Sequence, residues 1–380
     1  MQGDRFGIVG RNHVLPYSEL VAGLRDARAA WLGARHENPD AVVPDGTTAQ
    51  GSVEPLDVFD ACRRLVEQGA QVVLLPAPGH QHLLPLLVDE VGVPVIGLPP
   101  PLPDASTGTP RVAGDDGFQD DHIDRLLADR AASLARRGPR KVFRLGVVGG
   151  VGPAATVDFL NKVVRGTDAA RDQDHLKILL EQNPQIPDRT AFLLDRGADP
   201  AVALYATCKR LERQGASAIA IPCNTAHVFL PRIAHRLHVP IVDMIAETLD
   251  CIVRQHGSDV HIGLLATSGT VNSGVYAAAA KQRGLTLLVP SNAAQLKVMN
   301  AIYGPLGIKA GYTQGGCETD LQSAINELAR IGARALILGC TELPMVVQGH
   351  TRDAQGIRMA LVDPTEVLAR RCIALSLGTP

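Results

Sequence analysis

Two cysteines stand at matching positions in two similar stretches of the chain. Cys223 follows the apolar residues 219–221, and Cys340 follows the apolar residues 337–338. Small polar residues come next in both stretches, a pattern typical of a buried strand that ends where a helix begins. N–H groups at the start of a helix stabilise an anion and lower the pKa of a thiol from its ordinary value of about 8.5. We interpret the two turns as two halves of one active site.

The composition indicates a soluble globular enzyme. The chain has 380 residues, of which 46% are hydrophobic and 20% are charged, so we expect two domains or one large domain with an extension. A net charge of −2 gives no strong electrostatic case for nucleic acid or an anionic membrane as a partner. No apolar run is long enough to span a bilayer, and the first residues do not resemble a signal peptide. The cytoplasm is the expected location.

Strand-like and helix-like segments alternate along most of the chain. Such alternation predicts an α/β fold with parallel sheets that are covered by helices on both faces. A segment rich in Pro, Gly, Thr and Asp, residues 99–117, reads as a linker and precedes a charged helix over 120–137. We expect a non-catalytic lobe at 1–98, a linker and helix at 99–140, and the main domain at 141–380. Within that domain, lobe one is expected at about 142–244 plus 361–380, and lobe two at about 245–360.

An internal repeat relates three parts of the chain. Residues 61–70 align without gaps on residues 207–216, an offset of 208 − 62 = 146. A third copy of the unit ends at Cys340, at an offset of 340 − 223 = 117. Ala77 stands in the first copy where the other two copies have a cysteine. The first lobe is therefore predicted to share the fold of the other two and to be a degenerate, non-catalytic copy.

Several motifs resemble those of the aspartate racemase branch of the aspartate/glutamate racemase family. They are residues 149–156 (Gly-Gly-Val-Gly-Pro-Ala-Ala-Thr), 183–190 (Asn-Pro-Gln-Ile-Pro-Asp-Arg-Thr), 222–227 (Pro-Cys-Asn-Thr-Ala-His) and 339–342 (Gly-Cys-Thr-Glu), together with 265–267 and 308–311. The resemblance covers roughly residues 142–377. It implies two pseudo-symmetric α/β lobes with the active site in the cleft between them. It also implies interconversion of L- and D-aspartate without pyridoxal phosphate or a metal. Val151 stands where the family usually has Met.

Racemisation requires two acid–base groups on opposite faces of one carbon. A thiolate at Cys223 or Cys340 can remove the α-proton from an amino acid while the opposing thiol donates a proton to the other face. The carbanion is stabilised only if dipoles hold the substrate carboxylate. The N–H groups beside Asn224, Thr225 and Thr341 are suited to that task.

A dicarboxylic substrate also needs a second anion site. Arg189 can bind a carboxylate through two parallel hydrogen bonds, and Lys309 adds a point charge. In the resemblance both positions match the substrate-binding Arg and Lys of the family, and Thr267 lies in another matching motif. Two other interpretations stay open, namely that Arg189 forms a loop-fixing ion pair with Asp188 and that Lys309 is an ordinary surface lysine.

Other polar residues have two interpretations each. His227 either forms a hydrogen bond near the thiolate or packs a helix, and Glu342 either meets the substrate ammonium or begins a helix. His80 and His82 look like a metal pair, but no carboxylate or third ligand accompanies them, so a solvated turn is favoured. The resemblance implies no metal and no cofactor. The remaining cysteines are read as small buried hydrophobic residues; they are Cys62, Cys208, Cys251, Cys317 and Cys372.

Alternatives to an aspartate racemase remain. Within enzymes these are a racemase for glutamate or for many amino acids, and a cysteine-dependent isomerase or decarboxylase of the same fold. From another class, a ligand-binding or regulatory protein would keep the cleft without turnover. The expected partner is a small-molecule amino acid, with no nucleic acid and no membrane. The assembly is left open, with a homodimer as one alternative.

Overall fold

The computed structural model describes most of the chain after residue 142 and part of the chain before it. The described residues are 5–8, 14–16, 18–20, 22–24, 26, 55–75, 84–91, 93–97, 125, 127–133 and 143–378. The chain divides into two compact units, Met1–Val142 and Phe143–Pro380. No helix in the described ranges is long and apolar enough to cross a membrane.

The first unit contains a four-stranded sheet in the order β2-β1-β3-β4. Its strands are β1 (Arg5–Ile8), β2 (Leu15–Pro16), β3 (Val72–Leu75) and β4 (Val95–Gly97), and its fully bounded helices are Pro55–Glu67 and Leu84–Val91. Strands β1, β3 and β4 run parallel, whereas β2 pairs antiparallel with β1. The predicted α/β lobe is therefore confirmed. Ala77, His80, His82 and the linker at 99–117 lie outside the described residues.

The second unit begins with a three-stranded parallel sheet in the order β6-β5-β7. Its strands are β5 (Arg144–Gly149), β6 (Lys177–Gln182) and β7 (Ala218–Ala220), and its helices include Pro153–Gly166, Arg189–Leu193 and Ala201–Arg213. Each strand is followed by a helix or a turn that returns the chain to the start of the next strand, as parallel pairing requires.

Two predicted elements of this part of the chain are shorter than expected. The helix predicted over 226–237 is instead a 3-10 helix, Thr225–Phe229, followed by the one-turn helix Leu230–Ile233 and a second 3-10 turn. Pro231 explains the break, because it has no N–H and its ring displaces the preceding turn. The strand predicted over 239–243 is reduced to one parallel bridge between Ile219 and Ile241.

A second sheet has five strands in the order β11-β12-β10-β8-β9. Its strands are β8 (His261–Leu265), β9 (Thr286–Leu288), β10 (Ala335–Leu338), β11 (Thr351–Ala354) and β12 (Ile357–Val362). Its helices are Met244–His256, Ser268–Asn272, Val275–Gln282, Asn292–Tyr303 and Gly316–Arg330. All neighbouring strands are parallel except β11, which forms a hairpin with β12. The two sheets of the second unit confirm the two-lobe α/β fold.

Two helices tie these sheets together. The last helix, Pro364–Ser376, leaves the second sheet but buries Leu368 and Cys372 in the core around the first sheet. In the opposite direction, the helix Met244–His256 leaves the first sheet and buries Leu249 in the core around the second sheet. A fully buried leucine contributes about 1.5–3 kcal/mol to folding. The core of each lobe is therefore completed by a helix that the chain enters directly from the other lobe.

One packing arrangement occurs in all three sheets. The N–H groups of Ala70, Ala216 and Ala333 each donate to the carbonyl of a leucine five residues earlier, in each case after a glycine with positive φ. A glycine in the adjacent strand lies against this turn. A Cβ atom built on Gly146 would lie only 2.9 Å from the Cβ of Ala216. Gly7 and Gly263 stand in the same relation to Ala70 and Ala333, at 3.2 and 3.3 Å. The sequence repeat thus corresponds to three copies of one strand–helix contact.

Candidate active site

The ends of two strands from different sheets meet at one cavity. Cys223 comes shortly after β7 and Cys340 shortly after β10, and both thiols line the same small cavity. Both residues are buried, at 6% and 7% exposure. The eight residues that the sequence assigned to catalysis or substrate binding all line this cavity: Cys223, Cys340, Arg189, Lys309, Asn224, Thr225, Thr341 and Thr267. The other lining residues are Val151, Thr190, Tyr303 and Glu342.

His227 holds the backbone of Cys223 rather than its thiol. Its Nδ1 lies 2.9 Å from the carbonyl oxygen of Cys223, and the N–H of Met244 donates to its Nε2 over 3.0 Å. Since Nε2 accepts, Nδ1 carries the hydrogen and donates to the carbonyl. Burial lowers the pKa of His227, which favours the same neutral form. The imidazole therefore fixes the turn that carries the cysteine.

Asn224 is oriented by a buried tyrosine that the sequence analysis did not single out. The hydroxyl of Tyr276 donates to Oδ1 of Asn224 over 2.6 Å. Both side chains are buried, and Nδ2 of Asn224 has no hydrogen-bond partner among the described residues. With Oδ1 accepting from Tyr276, Nδ2 of Asn224 is an unused N–H donor at the cavity. Nothing near position 276 in the sequence signals this contact, because the two residues are 52 positions apart.

Four threonine hydroxyls form a cluster beside Asn224. Thr267 lies 2.9 Å from Thr190 and 3.3 Å from Thr225, and Thr225 lies 2.8 Å from Thr270. Thr267 also accepts from the N–H of Thr270 at the start of the helix Ser268–Asn272. These bonds join residues of both lobes. The cluster therefore holds Thr225 and Thr267 in place at the cavity wall, and Thr190 and Thr270 are members that sequence reasoning missed.

Arg189 is buried beside Cys223 with most of its donors engaged. Its Nη2 donates to the carbonyl of Val151 over 3.0 Å, and its Nη1 donates to the carbonyls of Ile186 and Pro187. Its Nε is buried without a partner among the described residues. Burial would lower the pKa of Arg189, but the nearby charge of Cys223 helps to raise it overall. Arg189 could bind a carboxylate through two parallel hydrogen bonds only if its guanidinium gave up contacts with these backbone carbonyls.

The carboxylate of Asp188 forms hydrogen bonds with groups other than the guanidinium of Arg189. It accepts from the N–H of Ala191 over 2.7 Å, which caps the helix Arg189–Leu193, and from the hydroxyl of Tyr303 over 3.1 Å. Both contacts fix the loop from which Arg189 reaches the cavity.

A carboxylate and an ammonium group lie beside Cys340. The Cys340 thiol donates to Oε2 of Glu342 over 2.9 Å, and Oε1 of Glu342 is paired with Nζ of Lys309. Lys309 also lies over the ring of Tyr303, 5.4 Å from its centroid. Burial and then Glu342 raise the pKa of Cys340 well above its usual value, although Lys309 opposes the change. Burial would raise the pKa of Glu342, but Lys309 keeps it low. Glu342 is therefore a charged member of the site.

The backbone of the glycine-rich loop lies close to the carboxylate of Glu342. Gly152 has a φ of 151°, and a Cβ atom built on it would lie 2.4 Å from Oε1 of Glu342. Thr156 fastens the loop, since its hydroxyl accepts from the N–H of Gly150 and donates to the carbonyl of Gly152. A side chain at position 152 would displace Glu342.

The cavity suits a ligand that carries a carboxylate. Nδ2 of Asn224 and Nε of Arg189 are buried donors without a partner among the described residues. A buried donor without an acceptor costs free energy, and a bound anion would remove that cost.

The family of the chain follows from a sequence match over the same region. The family model described as Asp/Glu/Hydantoin racemase matches residues 148–372, which is more than half of the 380 residues. This chain belongs to the Asp/Glu/hydantoin racemase family. The resemblance noted in the motifs is thereby confirmed, and the matched region contains both cysteines.

Curated relatives and solved structures within this family have several substrates in their names. The broad specificity amino-acid racemase RacX of Bacillus subtilis (strain 168) is 27% identical over 243 residues, which are 62% of this chain and 98% of that protein. A glutamate racemase of Deinococcus radiodurans is 27% identical over 246 residues, 63% of this chain and 77% of that protein. The structure of the Picrophilus torridus aspartate racemase is similar with a TM-score of 0.54 at 29% identity, covering 62% of this chain and 94% of the other.

We expect the Tyr276→Phe variant of this racemase-family protein to lose about tenfold or more in kcat/KM for its amino-acid substrate. Removing a hydrogen bond to a buried polar group costs about 1–3 kcal/mol, and here it also frees the Asn224 amide to turn. Racemisation followed by chiral chromatography measures the effect. Tyr312→Phe makes the same chemical change at a half-exposed side chain and serves as the control. Equal kcat/KM values in the two variants would contradict a positioning role for Tyr276.

Proposed function

We propose that this member of the racemase family interconverts L- and D-aspartate by proton transfer at Cα between Cys223 and Cys340. The observation that carries the proposal is that the two thiols come from different lobes and line one small cavity. A pair of acid–base groups on opposite sides of one carbon is what racemisation needs.

In the proposed reaction one thiol gains a proton and the other loses one. The Cys223 thiolate removes the α-proton and becomes a thiol, which leaves the electron pair on Cα. The Cys340 thiol then donates its proton to the opposite face and becomes a thiolate. In the reverse direction the roles exchange. The step draws on these two side chains alone, without pyridoxal phosphate or a metal.

The donors around the cavity are proposed to hold the two substrate carboxylates. Nδ2 of Asn224 and the backbone N–H groups at Thr225 and Thr341 are suited to the α-carboxylate, because charge develops there in the transition state. Arg189 and Lys309 supply positive charge for the side-chain carboxylate. Thr267 completes the wall through its hydroxyl cluster.

We expect Cys223→Ser and Cys340→Ser each to abolish racemisation, with a loss of at least about 1,000-fold in kcat. A serine hydroxyl is far too weak an acid to replace a thiol as either partner in proton transfer. The variants are tested by proton NMR of L- and D-aspartate in D₂O, in which exchange at Cα removes the α-hydrogen signal.

In the same experiment a single variant should still exchange the α-proton of one enantiomer. Full racemisation in either variant would exclude the two-thiol proposal. Absence of any α-proton exchange with the unaltered protein, for any amino acid tried, would favour an inactive ligand-binding homologue.

A racemase of broad specificity is the second candidate. The specific observation in its favour is that both cations of the cavity already have partners. Nη1 and Nη2 of Arg189 contact backbone carbonyls, and Lys309 is paired with Glu342. The cavity then has little unpaired positive charge that would make binding depend on a second carboxylate in the substrate. The names of the curated relatives include both glutamate and broad-specificity racemases.

The Lys309→Met variant separates the two candidates. If Lys309 contacts the side-chain carboxylate, the ratio of kcat/KM for aspartate to that for alanine should fall about tenfold to a hundredfold, since a charge-assisted contact contributes about 1.5–3 kcal/mol. The ratio within one variant cancels any general damage to the site. Lys297→Met, which removes an exposed lysine elsewhere, is the control. An unchanged ratio would reject aspartate specificity through Lys309 and favour the broader range.

We further propose that catalysis is confined to residues 141–380 and that the lobe at 1–98 supplies no catalytic group. The family match begins at residue 148. The relative from Bacillus subtilis aligns over 98% of its own length with only 62% of this chain. The cytoplasmic location and a homodimeric assembly stay predictions from the sequence.

We expect a truncated chain that starts at Phe143 to retain kcat within about threefold of the full chain, per folded molecule. The expectation follows because both cysteines and the residues around them belong to the second unit. Racemisation assays, with size-exclusion chromatography to measure the folded fraction, test it. A folded truncation without turnover would mean that the N-terminal unit contributes to the active site.

A further inference from the structure

The two thiols of the cavity have neighbours of opposite charge. Cys340 donates to the carboxylate of Glu342, whereas the charged side chain beside Cys223 is the guanidinium of Arg189. The residues that follow the cysteines differ accordingly, since Glu342 occupies the position that Thr225 has in the other lobe. The two cysteine turns are therefore matching copies of the repeat whose neighbouring side chains differ in charge.

We propose that Glu342 holds the Cys340 thiol in its protonated form in the free protein, so that Cys340 rests as the acid and Cys223 as the base. The proposal rests on the two-thiol function proposed above and specifies the charge state from which the reaction begins. Glu342 acts through Cys340 and is a positioning residue.

The contact at Cys340 supports the thiol form in two ways. A thiol can donate to a carboxylate, and Sγ of Cys340 contacts Oε2 of Glu342 at 2.9 Å. Loss of the proton would place a thiolate against a carboxylate that is 4% exposed, where water screens the repulsion poorly. Lys309 offsets part of this repulsion, and Tyr303 is the other titratable side chain near Cys340. Glu342 therefore disfavours the thiolate.

The charged side chain that lines the cavity beside Cys223 is a cation. Arg189 is buried beside it and remains charged, because an arginine is not deprotonated in a protein. The imidazole of His227 contacts the carbonyl of Cys223 rather than its sulfur, so it adds no competing acid–base group. Among the residues that line the cavity, the carboxylate that disfavours a thiolate at Cys340 therefore has no counterpart beside Cys223.

Steady-state rates do not report this difference. The two enantiomers have equal free energy, so kcat/KM must be the same in both directions whichever thiol is charged at rest. Protonation has to be measured directly and without substrate.

The experiment follows alkylation of each thiol by iodoacetamide as a function of pH, by peptide mass spectrometry on the full chain. Only the thiolate reacts, so the pH of half-maximal rate reports the thiol pKa. Cys340 is followed in Cys223→Ser and Cys223 in Cys340→Ser, which removes the coupling between the two titrations. Each rate is scaled to its own plateau at high pH, because both thiols are largely buried.

We expect half-maximal alkylation of Cys223 at a lower pH than that of Cys340. Adding Glu342→Gln should shift the Cys340 midpoint down by about one pH unit or more, which is about tenfold in thiolate fraction, and leave Cys223 unchanged. Adding Lys309→Met should shift the Cys340 midpoint upward, because the positive charge that opposes the effect of Glu342 on the thiol is then gone. Glu212→Gln removes a carboxylate that is also paired with a lysine, but outside the cavity, and should shift neither midpoint.

A Cys340 midpoint at or below that of Cys223 would overturn the proposal, as would a midpoint that does not move in Glu342→Gln. If Glu342→Gln does not fold, the order of the two midpoints in the single cysteine variants decides the question, because that order does not depend on the Glu342 variant. No substrate takes part in these measurements. A failed racemase assay with the expected midpoints would reject the proposed function and not the resting charge state, whereas the converse result would reject only the charge state.

Discussion

Two parallel sheets must bring the carboxyl ends of their strands to one cavity before Cys223 and Cys340 can act on the same atom. The chain meets this constraint by exchanging helices between its lobes. The helix Met244–His256 completes the core around the second sheet, and Pro364–Ser376 completes the core around the first. Arg371 of one of these helices contacts Glu247 of the other over 3.1 Å. Since neither core is complete without a helix from the far side, the two cysteine turns are held in a fixed relation.

Each charged side chain of the cavity has a neighbour that matters for its charge. Lys309 and Glu342 neutralise each other, and the guanidinium of Arg189 lies beside Cys223. The backbone supports this balance: the carbonyl of Val151 accepts from Arg189, and Gly152 leaves room for Glu342. The glycine-rich loop thus contacts both charged groups. Such an arrangement stabilises one thiolate but gives no comparable support for two.

The N-terminal unit shares one packing contact with the second unit. Gly7 and Ala70 make the strand–helix contact that Gly146 and Ala216 make in the second unit. The contact depends on the small size of both residues and on the helix-ending glycine, so it needs no residue of the active site.

The sequence by itself determined the α/β class, the repeat and eight of the twelve residues that line the cavity. Each of these is a local pattern: alternating strands and helices, a fixed offset, and short motifs at strand ends. The helix predicted over 226–237 was wrong for a local reason as well, because Pro231 breaks it.

Only the tertiary structure decided what the polar groups contact. Tyr276 orients Asn224 from 52 positions away, and Glu342 pairs with Lys309 across 33 positions. The last strand also joins the second sheet while the helix after it packs on the first. Partners so far apart in the chain leave no periodic signal, because their meeting depends on how two separately formed lobes pack. The chemistry was therefore readable from residue types, whereas the charge state of each thiol depends on neighbours that only the fold brings together.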